Sequence, residues 1–172
     1  MKPRLARIVL LTAWLCVLPA YGRAAAPVVP REALDMTRRI AIQHNGRTKP
    51  FDSFARETLQ LITGSPRVGK GDAVATVLTM MAEPERWQAE PLLSVQFHPL
   101  REALGMDATA ARISYNDLVA SRKLMRMLPA IMQKQQHEEK LSMLENETMD
   151  AFQRFVALSN LFEQKLALVP PP

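Results

Sequence analysis

Cysteine is nearly missing from this chain: Cys16 is the one thiol in 172 residues. It lies inside an apolar run near the N-terminus, so the rest of the chain has no disulfide, no thiolate metal site and no redox dyad. Trp14 and Leu15 stand where small residues would precede a lipid-modified cysteine, which argues against a lipoprotein acceptor. Metal-ligand spacing is missing as well. The three histidines, His44, His98 and His137, contain no i, i+4 pair. His137-Glu138 opens like a zinc-protease helix, but Leu141 occupies the place of the second histidine. No serine has a nucleophile-elbow context, so no catalytic residue is visible and hydrolase chemistry has no support. The segment from Gly64 to Lys70 spells the first seven positions of a phosphate-binding loop, but Gly71 replaces the hydroxyl that would hold magnesium. It also follows a predicted helix instead of a strand, so it reads as a glycine-rich connection and no nucleotide is expected.

What is present begins with an export signal. Lys2, Arg4 and Arg7 precede the apolar run Ile8 to Leu18, Pro19 ends it, and small residues follow at Gly22, Ala24, Ala25 and Ala26. That run is shorter than the ~20 apolar residues of a membrane-spanning helix. Residues 1–24 are therefore read as a signal peptide, cleaved after Ala24 or retained as an anchor. The signal holds four of the 22 cations and none of the 17 anions, so the remaining chain is nearly neutral. A nucleic-acid partner, which needs a concentrated basic surface, is not expected.

Beyond the signal, residues 25–37 read as a proline-stiffened linker with a helical turn over Arg31 to Met36. Residues 38–169 read as a small, mainly α domain with at most a short β element, and residues 170–172 as the start of a proline-rich linker. Arg38 to Gln43 has the look of a strand or extended arm, turning at Asn45-Gly46. Asp52 or Ser53 is expected to cap a helix running to Thr63, burying Phe54, Leu59, Leu61 and Ile62. Further helices are expected over Asp72 to Ala82, from Pro84 through Trp87, and over Pro99 to Leu104, with Pro91 to Phe97 extended between the last two. Ser114 should cap a longer helix that Pro129 kinks or divides. Ser142-x-x-Glu145 spells a capping box that opens a helix to about Leu168. The methionines, among them Met80, Met81, Met125, Met127, Met132, Met143 and Met149, fall mostly at helical spacing and are read as core filler.

The richest stretch runs from Gln43 to Glu57. Gln43, His44, Gly46, Arg47, Lys49, Pro50, Asp52, Arg56 and Glu57 form the candidate partner-binding set. Arg47, Lys49 and Arg56 supply cations beside Asp52 and Glu57, and His44 is the candidate contact for haem or a metal. With Gly46-Arg47-x-Lys49-Pro50-Phe51-Asp52 as its core, this stretch resembles the exported domain of CcsA/ResC-type System II cytochrome c biogenesis proteins. Pro84-Glu85-Arg86-Trp87-Gln88 with Pro91-Leu92 is similar to another segment of that family. So are Arg101-Glu102-Ala103-Leu104-Gly105 and Ile113 to Leu118. The resemblance covers roughly residues 38–172. It implies an accessory exported domain of a haem-attachment complex on the periplasmic side of a bacterial membrane. Its implied partner is the membrane part of the cytochrome c synthase, with apocytochrome c as a further candidate; haem is implied for the parent complex, and whether this domain touches it stays open. The family's membrane bundle and tryptophan-rich motif have no counterpart here, so the chain is expected to be a fragment lacking the synthase part or else a free-standing relative. The competing expectation is an unrelated exported helical binding protein whose apolar stripe docks a partner helix.

Overall fold

The computed structural model describes residues 30–44, 46–165 and 167–168. The expected signal peptide, the first part of the linker and residues 169–172 lie outside them. Eight helices among the described residues make the protein mainly α, as the apolar spacing predicts. They are α1 (Arg31–Arg38), α2 (Phe51–Thr63), α3 (Ala73–Ala82), α4 (Pro84–Gln88), α5 (His98–Leu104), α6 (Tyr115–Ser121), α7 (Lys123–Gln136) and α8 (Met143–Phe162). The strands are β1 (Ala41–His44), β2 (Arg47–Pro50), β3 (Leu93–Ser94), β4 (Arg112–Ile113) and β5 (Ala167–Leu168). They form two small antiparallel sheets, one ordered β2-β1-β5 and one pairing β3 with β4.

Helix ends follow local chemistry. Asp72 accepts the Ala75 N–H at the start of α3, and Ser114 accepts the Asp117 N–H at the start of α6. Ser142 and Glu145 exchange both bonds of the capping box at α8. Gly64 closes α2 at φ +76°, a left-handed position that a Cβ disfavours. Long helices alone could not bury their stripes; α8 does so by lying across α2, α3, α5 and α7. Leu59 and Ile62 of α2, Val74, Val77 and Met80 of α3, and Leu158 and Leu161 of α8 are at most 1% exposed at this junction. Tyr115 fixes α6 to the same helix, stacked on Phe155 at 5.1 Å and edge-on to Phe162 at 5.3 Å.

Several expectations are corrected. Neither Asp52 nor Ser53 caps α2: Pro50 is the N-cap, and the Phe51 N–H is taken up by Ile40 O at 2.9 Å. Asp52 falls in the first turn, where arginines claim its carboxylate. Leu61 is 43% exposed, because the buried face of α2 follows Phe54, Thr58 and Ile62 together with Ala55 and Leu59. The helix after Ser114 divides at Arg122, which takes φ +53°, while Pro129 sits on an exposed position inside an unbroken α7. The last helix stops at Phe162, short of Leu168, as the chain turns through a left-handed Gln164 and pairs with β1. Among the methionines Met80 is fully buried, but Met125 and Met132 are 40% exposed and Met143 66%. Core filling does not describe those three.

Candidate functional site

The turn at Gly46 (φ +74°) folds β2 back onto β1, pairing Ile42 with Lys49, Gln43 with Thr48 and His44 with Arg47. Alternation along β1 then decides which side chains turn inward. Ile42 is fully buried, Gln43 is exposed, and His44 on Ile42's face is half-buried. Because α2 starts directly after Pro50, its first two turns lie beside that face. The Phe54 ring meets the His44 ring edge-on at 5.1 Å, and Phe51 packs on Phe54 at 5.7 Å. Lys49 reaches across to pair with Glu57.

Between this hairpin, α2 and the C-terminal half of α8 a cleft of about 220 Å³ opens. His44, Phe54, Glu57, Thr58 and Leu61 line one side; Ala157, Asn160, Leu161 and Lys165 line the other. A shallower depression continues from it over Leu61 and Val156 towards Phe152. The walls are mostly apolar, with a few polar groups converging at the rim, which is the common make-up of a ligand or side-chain receptor. His44 Nδ1 is buried and has no hydrogen-bond partner among the described residues. Burial pushes the imidazole below its ordinary pKa, the Lys49 charge adds to that, and Glu57 opposes it. At neutral pH the ring is uncharged, so it can offer one nitrogen as donor or acceptor or serve as a single-point ligand. Among the described residues no three His, Cys, Asp or Glu side chains gather into a metal-holding group.

The candidate charges do not form a single cluster. Lys49 and Glu57 stand at the cleft, whereas Asp52 and Arg56 belong to a separate network built on Arg38. Arg38 donates to Asp72 at 2.7 Å, to Asp52 at 3.0 Å and to Asp35 at 3.3 Å, and Arg56 donates to Asp52 at 2.9 Å. The hydrogen bond that Arg38 donates to Asp72 is the main reason that its guanidinium is held above its usual pKa. Asp52 is held below the usual carboxylate range, chiefly by Arg56 and then by Arg38. At Asp72 burial pushes the carboxyl up, but the bonds from Arg38 and the Ala75 N–H outweigh it and leave the pKa lowered. Arg47 is exposed on β2 and forms no ion pair among the described residues; Gln43 and Pro50 are exposed beside it. Sequence reasoning missed Arg38, Asp72 as its partner, and the α8 wall of the cleft. The capping position of Asp72 was readable, but nothing local announces that Arg38 reaches it.

Fold and cleft together make a mainly helical domain in which a β-hairpin, α2 and the end of α8 frame an open, mostly apolar cleft. No family model matches this chain. A stretch of 72 residues, 42% of the chain, is 33% identical to Protein NrfI of Wolinella succinogenes. That stretch amounts to 8% of the length of NrfI, so the chain spans a small part of this relative. Among the described residues no helix is long and apolar enough to cross a membrane.

Proposed function

We propose that this chain is an accessory exported domain in cytochrome c maturation, on the periplasmic side of a bacterial membrane. In this role it is a piece of a System II haem-attachment protein and docks on the membrane part of the synthase, with apocytochrome c as a second partner. The resemblance carried by residues 38–172 supports this, and the partial likeness to NrfI supports a role in cytochrome c maturation at a coarser level. The observation that carries the site is His44: uncharged at neutral pH, without a partner at Nδ1 among the described residues, and set in an open cleft near the start of the most distinctive motif. The domain orients a partner and leaves the haem chemistry to the membrane part.

Arg47 separates docking from folding. Its guanidinium is exposed and unpaired among the described residues, so Arg47→Lys should shift stability by less than about 0.5 kcal/mol. A partner carboxylate gripped by a planar fork of donors would lose that geometry with lysine. Holocytochrome c yield in cells carrying Arg47→Lys should fall while the melting temperature stays put. Undiminished maturation removes Arg47 from the site, and a parallel fall of yield and stability makes it a structural residue instead.

A further inference from the structure

The outer side of α7 carries a surface that the hairpin does not use. Between residues 118 and 137 the chain has no acidic residue, yet it holds Arg122, Lys123, Arg126 and Lys134. Lys134 pairs with Glu145 at 2.6 Å. Arg122, Lys123 and Arg126 are exposed and form no ion pair among the described residues. Their position works against the helix itself. Lys123 and Arg126 sit in the first turn of α7, at the positive end of its dipole, with no acid beside them and no side-chain cap, while Arg122 also closes α6. Such a breach of local rules is expected where another task outweighs helix stability.

Met125, Pro129 and Met132 follow at i, i+4 and i+7, so they share one exposed ridge next to Arg122 and Arg126. Met125 and Met132 are each 40% exposed, and Val119 at the end of α6 is 47% exposed. Flexible thioether side chains adapt to an irregular apolar medium better than branched ones. A ridge of three exposed side chains offers little apolar surface beside the ~800 Å² per partner of a stable protein interface. A fluid surface that supplies negative charge and a shallow apolar layer suits it better.

We propose that the outer face of α7 docks on a bilayer rich in anionic phospholipid. Met125, Pro129 and Met132 enter the boundary between headgroups and acyl chains, and Arg122, Lys123 and Arg126 meet the phosphates. The proposal stands apart from the maturation role and survives or fails on its own test.

The full chain is exposed to hydrogen peroxide on vesicles of phosphatidylglycerol and phosphatidylethanolamine, or on phosphatidylcholine alone, and oxidation of each methionine is followed by mass spectrometry. Met36 and Met143, 75% and 66% exposed, serve as internal references, because adsorption through another part of the chain would not single out Met125 and Met132. Oxidation of Met125 and Met132 should slow several-fold on the anionic vesicles only. High salt should abolish the protection, since the charge attraction is screened over ~10 Å at 0.1 M and less above it. The combined Arg122→Ala, Lys123→Ala and Arg126→Ala variant should lose it too, and removing cations from a helix N-terminus does not endanger folding. Inorganic phosphate alone should give no protection. Equal rates on both vesicle types, protection of all four methionines alike, or protection that survives the triple substitution would overturn the proposal. Protection by a soluble acidic polypeptide without vesicles would assign the face to a protein partner instead.

Discussion

Replacing Arg38 by alanine should loosen α1 more than anything else in the protein. No residue of α1 is fully buried and Leu34 packs only partly against the core, so the helix leans heavily on what its last side chain grips. Arg38 ties it to the first turn of α2 through Asp52 and to the cap of α3 through Asp72, with 28% of its side chain exposed. Hydrogen bonds to charged groups contribute roughly 1.5–3 kcal/mol each when well shielded. The partial exposure of all three groups reduces that, and Arg56 and the Ala75 N–H still serve the two carboxylates after the substitution. A total loss of roughly 1–3 kcal/mol follows, a melting temperature lower by roughly 3–10 °C in a domain of this size. The folded-state pKa values of Asp52 and Asp72 lie below the ordinary 3.8, so their contribution is complete above that pH and disappears as the pH falls through the folded values. The gap between wild type and Arg38→Ala should therefore close on acidification below pH 3.8. Thermal melts across pH, with amide exchange read for residues 31–38, measure both. Arg39→Ala, an exposed neighbour, is the control and should stay within about 0.5 kcal/mol. Equal melting temperatures for Arg38→Ala and Arg39→Ala, or unchanged exchange in α1, would refute the clamp.

Leu158→Ala, at a side chain with no exposure at the crossing of α8 with the core, should cost about 2–5 kcal/mol by denaturant titration, and a loss under 1 kcal/mol would mean that the crossing is loosely packed. His44 should titrate below its ordinary 6.5 when followed by NMR, and a midpoint at or above that value would contradict its burial. Because the unfolded chain then binds more protons, stability should fall as the pH drops below 6.5 and level off below the folded value.

Much of the helical framework was legible because helix ends are written in short-range chemistry. Asp72, Ser114 and the Ser142/Glu145 pair could each be read as a start, and Gly64 and Gly105 as stops, from one or two neighbours. Arg122 was not readable as a break, since an arginine carries no local preference for positive φ and the division is imposed by the way α6 and α7 pack. The candidate site was half legible for the same reason. Asn45-Gly46 announced the turn but not the returning strand β2, whose pairing with β1 brings Lys49 and Glu57 to the side of His44. The opposite wall, with Asn160 and Lys165, comes from more than 100 residues further along and has no signature of its own. The Arg38–Asp72 pair, 34 positions apart, was hidden likewise.

The two pairings of β5 with β1, Leu168 with Ile42 and Ala167 with Gln43, set a load path through the molecule. Tension applied along the chain at Leu168 is borne first by the backbone bonds of those two pairs, and only afterwards by the packed helices. The strand that takes the strain is the one that carries His44 and frames the cleft. Force applied at this end would thus load the hairpin and the cleft it frames before it reached the helix packing.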